Sequence, residues 1–274
     1  MGPDITVNKK RLLLAPVRIC THTIKKRSSQ RFIELDILRG IAILLMIFFH
    51  ILWDLDYFGI VPLNHQIYAF QKIAPIMFFL LLGMCLVVST NNTQKGNPDK
   101  QKKYRNHLIL RGLKIFSFGM ILTTGSFIFI PDRPVIFGVL HCIGVSIILS
   151  IPFLYRSTIT KIVSSGVVMI AGYFFGQYIV PYPSAVHLAI GFHQTNVYSY
   201  TVDYFPIFPW LGVCLLGMAL ADIFYADNTR RIPSFALSKS KPCLMVSWLG
   251  RHSLSVYMVH QPIIAGIILL YIFL

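Results

Sequence analysis

The sequence predicts an all-α protein, a polytopic bundle of about seven transmembrane helices with its N-terminus cytoplasmic. Three observations predict it. First, 55% of the 274 residues are hydrophobic and only 13% are charged, with a mean hydropathy of +0.65, whereas a soluble domain carries roughly 25% charged residues. Second, apolar runs long enough to cross a bilayer core, about 20 residues at about 1.5 Å each, recur along the chain without strand-like alternation. Backbone groups in lipid have to be satisfied within each segment, so such runs are helices. Third, the charges sort by loop.

Taken in order, residues 1–31 read as a basic cytoplasmic leader. Their short apolar patch, in "RLLLAPVRICTHTIKKRSSQR", is interrupted by Arg18 and has no signal-peptide cleavage pattern. Residues 32–274 then form one membrane domain, with spans at 35–55, 73–90, 108–130, 136–155, 162–180, 205–225 and 252–273. Residues 243–249 form a short interfacial lead-in to the last. Alternating these spans puts 23 Lys and Arg with six acids on one side. The other side holds only Lys72 and Arg133, with Asp54, Asp56, Asp132 and Asp203. Basic loops stay inside, so the N-terminus and the even-numbered connections are cytoplasmic and the C-terminus is extracytoplasmic, in a multi-pass cell-membrane protein.

The net charge of +15 therefore reports orientation and contact with membrane lipid; it does not mark a nucleic-acid partner. Five cysteines without a CxxC motif exclude a disulfide framework and a zinc site, and no metal is expected. Residues 181–204 form the longest outward loop, aromatic and free of Lys and Arg. It suits either a functional lid or a cap at the headgroups.

The first span carries the most informative pattern, in "ELDILRGIAILLMIFFHILWDLDYFGI". At 100° per residue, Asp36, Arg39, His50, Asp54 and Tyr57 fall within a sector narrower than about 80°. Ile41, Leu44, Leu45, Phe48 and Ile51 cover much of the rest, so the polar face looks into the bundle. Arg39 and His50 are 11 residues apart, which sets a cation and an imidazole roughly 16 Å apart along the axis, towards opposite surfaces. His50 and Asp54 at i, i+4 suit a dyad in which the carboxylate orients the imidazole for proton transfer. His141 near the outer end of the fourth span, and Asp203 before the sixth, could converge on the same space. Pro206 and Pro209 are expected to distort the entry to that sixth span. In the last span Ser253, Tyr257 and His260 share a face ahead of Pro262, and Gly83, Gly112, Gly119, Gly144 and Gly217 mark close helix packing.

On the cytoplasmic side Arg39 and Arg111 suit phosphate, because guanidinium offers paired donors and both lie at helix entrances. Lys114 and Arg251 lie beside such entrances and complete the candidate set for an anionic cofactor.

The segments "LDILRGIAILLMIFFH", "FLLLGMCLVVS", "RGLKI", "FGVLHCIGVSIIL", "DYFPIFPWLGVCLLGMAL" and "LGRHSLSVYMVHQPI" resemble, in this order, the heparan-α-glucosaminide N-acetyltransferase catalytic-domain family. The first is also similar to the acyltransferase type 3 motif. The resemblance implies transfer of an acyl group, typically acetyl, from cytoplasmic acyl-CoA through the bundle to an extracytoplasmic acceptor such as a sugar amine or hydroxyl of a glycan. It implies CoA phosphate contacts from Arg39 and Arg111 and a catalytic His50, with Asp36, His141, Asp203 and His260 in support. His65, in the first outward loop, is the other candidate for the catalytic histidine. A homodimer is among the expected assemblies. Two readings stand beside the transferase: a transporter with a buried His/Asp solute or proton site, and a haem protein using His50 and His141.

Overall fold

A computed structural model describes residues 32–62, 71–93, 98–225, 229, 231 and 240–274. The basic leader and His65 lie outside the described residues. Nine α-helices follow one another among them: α1 Ile33–Tyr57, α2 Ile73–Thr93, α3 Pro98–Phe129, α4 Val139–Ser150, α5 Thr158–Gln177, α6 Ala185–Ile190, α7 Ile207–Phe224, α8 Lys241–Arg251 and α9 Ser253–Phe273. Six of them (α1, α2, α3, α5, α7 and α9) are long and apolar enough to cross a membrane, so the protein is a polytopic helical membrane bundle.

Two of the expected spans differ from the structure. The fourth is shorter: α4 has 12 residues and continues only through a 3-residue 3-10 turn, Ile151–Phe153. Val139, Leu140, His141, Cys142, Gly144, Ser146, Ile147 and Ser150 of α4 are all buried. A helix wrapped by its neighbours meets little lipid and has no need to match the bilayer thickness. The third expected span is longer. α3 has 32 residues, about 48 Å, because most of the charged linker before it is also helical. Pro98 at the first position and Asp99 in the first turn are the start signals, and the Lys, Gln and Arg residues that follow are good helix formers. Arg111 and Lys114 are therefore not at a helix entrance; Arg111 lies 13 residues into α3.

The helices are joined in pairs by small residues. A Cβ on Gly83 of α2 would run into the Cys214 carbonyl of α7, and one on Gly217 of α7 into the Leu80 carbonyl of α2. Gly40 of α1 meets Val246 of α8, and Gly250 of α8 meets the Asp36 carbonyl of α1. Gly112 of α3 and Gly144 of α4 each place a would-be Cβ 2.7 Å from the other's carbonyl oxygen. Gly172 of α5 abuts Pro209 of α7, and Gly212 of α7 abuts Ser165 of α5, whose hydroxyl donates to the Gly212 carbonyl at 2.7 Å. These contacts let backbones touch, which is how helices gain dispersion energy where lipid offers no hydrophobic drive. Around them Phe79, Leu86, Ile147, Leu215 and Met218 form the main apolar core.

The expected lipid face of α1 is exposed at Ile41, Leu44, Leu45, Phe48 and Ile51, while Asp36 and Asp54 are buried. Tyr57 departs from the expected polar face: it is exposed and stacks on Trp53 with centroids 5.0 Å apart. At one end of the bundle the Tyr225 hydroxyl donates to Glu34 at 3.4 Å, and the buried Lys161 pairs with Asp222 at 2.6 Å. Both contacts lie at the end where Arg39 sits. α8 extends the expected lead-in and packs its Ser247 and Gly250 inward, leaving Leu244, Met245 and Trp248 exposed.

Gly83→Ala is expected to lower the thermal midpoint in detergent, with overpacking costing about 1–3 kcal/mol. Gly166→Ala, where a Cβ meets nothing within 4 Å, is expected to leave the midpoint unchanged or raise it, by up to about 1 kcal/mol of helix propensity. Thermal unfolding of the two variants side by side checks the sign.

Candidate functional site

The polar side of α1 is divided between two places. At its first turns the Arg39 guanidinium donates from Nη1 to Asp36 at 3.2 Å and to the Gly250 carbonyl at 3.5 Å, and from Nη2 to the Cys85 sulfur at 2.6 Å. The expected i, i+3 pair with Asp36 is present. Arg39 thus ties α1 to α2 and α8. Arg251 follows Gly250 directly and is exposed, so the two arginines sit at the same joint. Arg111 and Lys114 are exposed on α3, whose packing partner is α4. The four candidate phosphate ligands therefore form two groups on different helix pairs.

Three turns further along α1 lies the second place. The His50 ring faces the His260 ring of α9 with centroids 4.9 Å apart. Asp54 is buried and accepts a hydrogen bond from Gln261 Nε2 at 2.8 Å. His260 Nδ1 lies 2.7 Å from the Tyr257 carbonyl. Four buried polar atoms in this one cluster have no hydrogen-bond partner: His50 Nδ1, Asp54 Oδ2, His260 Nε2 and Gln261 Oε1. Each such group left orphaned costs about 1–3 kcal/mol. Four together leave the cluster able to hydrogen-bond a polar group placed among them. The His50–Asp54 hydrogen bond that i, i+4 spacing allows is not made: Asp54 accepts from Gln261 of the facing helix through Oδ1, and its Oδ2 and His50 Nδ1 are both left without a partner.

Helical spacing sets Tyr257 and His260 on one face and does not by itself single out Gln261. The signal was present in "VHQP". Two polar residues precede a proline whose missing N–H frees the Met258 carbonyl, and such interruptions of membrane helices are retained where they line a site.

His141 and Asp203 come together at the start of α4. Asp203 Oδ2 accepts from the Val139 N–H at 3.1 Å, and His141 Nδ1 accepts from the Gly138 N–H at 3.2 Å. Nε2 of His141 meets the Thr123 hydroxyl at 3.5 Å, and the ring lies between Phe137 and Phe116. Both side chains satisfy the orphan N–H groups of a buried helix end. With both ring nitrogens engaged, His141 does not join His50 as the ligand pair weighed for haem. Among the described residues no group of three or more His, Cys, Asp or Glu could hold a metal ion.

The entry to α7 is irregular, as its prolines require, with an extended Phe208 inside the helix. Trp210 lies against Phe79 and Phe205 and so lines the core. The loop before it, residues 181–204, has a core of its own, Leu188, Val197 and Tyr204, with the Tyr204 hydroxyl donating to the Leu188 carbonyl at 3.0 Å. It borders a shallow hollow of about 450 Å³ edged by Tyr182, Gln194 and Tyr200.

Burial pushes the Asp203 carboxyl up from 3.8 to about 6 against the pull of the Val139 N–H. Between those values the folded state holds more proton than the unfolded one, so this group's contribution to stability falls as pH rises. Asp203→Asn keeps an acceptor for Val139 without the charge. Its thermal midpoint relative to wild type is expected to rise from pH 4 to pH 7 in a detergent unfolding series, and a flat difference would refute the assignment.

A family model described as "Heparan-alpha-glucosaminide N-acetyltransferase, catalytic" matches residues 31–262. No curated protein and no solved structure matches the chain.

Proposed function

The chain belongs to the heparan-α-glucosaminide N-acetyltransferase catalytic family, and from that premise we propose that it moves an acetyl group from cytoplasmic acyl-CoA to an extracytoplasmic acceptor, a sugar amine or hydroxyl. Membership makes it a membrane acetyltransferase-type protein. The observation that carries the finer reading is the cluster of four unpartnered polar atoms between α1 and α9. It lies in the half of the bundle away from Arg39, where an acceptor arriving from outside would meet a donor threaded from the other surface.

In this reading the N-terminus is cytoplasmic and the C-terminus extracytoplasmic. Arg39, Arg111, Lys114 and Arg251 are the candidate contacts for the phosphates of CoA. Arg39 has a structural task as well, so its removal tests two things at once. Arg111 and Lys114 are exposed and free of that complication. His50 and Asp54 border the transfer site, and their unpartnered atoms supply hydrogen bonds that hold the thioester and the incoming nucleophile. His141 and Asp203 support the site by holding the end of α4.

His50→Ala is expected to lower acetyl transfer by at least about 100-fold, measured as labelled product from acetyl-CoA in membranes containing the variant. Full activity there would remove His50 from the site. The double variant Arg111→Ala, Lys114→Ala is expected to raise the apparent KM for acetyl-CoA about tenfold with kcat nearly unchanged, and steady-state kinetics at varied acetyl-CoA checks the split.

A further inference from the structure

We infer that Nε2 of His260, on α9, is the atom that takes the proton from the acceptor nucleophile; this rests on the acetyl-transfer reading above and assigns its base. A backbone carbonyl can only accept, so His260 Nδ1, 2.7 Å from the Tyr257 carbonyl oxygen, carries the ring hydrogen. In a neutral imidazole the other nitrogen is then a bare lone pair. That nitrogen, Nε2, is buried and has no partner. The ring is fenced by Tyr257 at 5.4 Å and His50 at 4.9 Å between centroids. Tautomer and direction are therefore both set before substrate arrives, which is what a general base needs.

His50 lacks this arrangement. Nothing bonds its Nδ1, and Asp54, the group spaced to orient it, makes no bond to the ring and accepts from Gln261 through Oδ1. The Gln261 amide, with its N–H given to Asp54, leaves its oxygen Oε1 as a further buried acceptor without a partner.

The step balances as follows. The nucleophile N–H or O–H gives its proton to His260 Nε2 as its lone pair forms a bond to the thioester carbonyl carbon. The C–S bond breaks, and the sulfur of CoA leaves with the electron pair. His260 returns the proton to that sulfur, so the products are the acylated acceptor and free CoA thiol. His50, ring to ring with His260, is the group available to donate to the carbonyl oxygen.

The test uses the full chain purified in detergent, acetyl-CoA as donor and release of CoA thiol as readout. Glucosamine and hydroxylamine serve as probe acceptors; hydroxylamine attacks thioesters with little need of a base. His260→Asn retains a side-chain N–H for the Tyr257 carbonyl but has no bare ring nitrogen. The expected result is a fall in kcat with glucosamine of about 10²–10⁴-fold, a KM for acetyl-CoA within about twofold of wild type, and a much smaller loss with hydroxylamine. The ratio of the two rates does not depend on how much of the variant is folded. Equal losses with both acceptors, or a kcat with glucosamine within about threefold of wild type, would overturn the assignment and leave the transferase reading standing. Wild type that releases no CoA thiol with either acceptor would overturn the transferase reading itself.

Discussion

Backbone-to-backbone contact through paired glycines is the constraint on which the rest of this bundle depends. In four helix pairs, α1 with α8, α2 with α7, α3 with α4 and α5 with α7, each partner presents a glycine to the backbone or a small side chain of the other. Lipid tails are as apolar as leucine, so membrane helices have no hydrophobic reason to prefer each other, and close approach has to supply the attraction. The pairing also determines depth. Gly40 and Gly250 hold α8 against the first half of α1, and α9, starting directly after α8, then runs beside the second half.

That placement produces the two polar sites of α1. Arg39 spends its donors on Asp36, on the Cys85 sulfur and on the Gly250 carbonyl, so a charge that would be costly alone becomes a clamp among three helices. About 16 Å away along the same helix, His50 and Asp54 meet His260 and Gln261. The two sites differ in kind. The Arg39 site is largely satisfied by protein, whereas the histidine site retains four unpartnered atoms. A fold that satisfies one buried polar group and leaves another cluster open tells structure from function more sharply than residue type does.

Histidine and aspartate illustrate that distinction elsewhere. His141 and Asp203 looked like site residues because acids and imidazoles in membrane proteins are costly and therefore functional by default. In the structure both accept hydrogen bonds from N–H groups at the buried start of α4, groups that have no partner within the helix. The helix is short and central, and without those two acceptors its first turn would face the core unpaired. Their hydrogen bonds hold the start of α4 in place.

The sequence by itself determined the class of fold, the exposed apolar face of α1, four of the eight glycines that pair the helices (Gly83, Gly112, Gly144 and Gly217) and the family. Each follows from local rules: hydropathy over about 20 residues, 100° per residue around a helix, and motif order. It could not determine where α4 ends or where α3 begins, because burial by neighbours relaxed the length of the first and charged helix formers extended the second. Nor could it tell that Asp54 answers to Gln261 and not to His50. Asp54 and Gln261 are separated by 207 residues, and only the packing of α9 on α1 brings them within hydrogen-bond distance. Spacing within one helix predicts which groups share a face; which of them find a partner depends on what the facing helix carries.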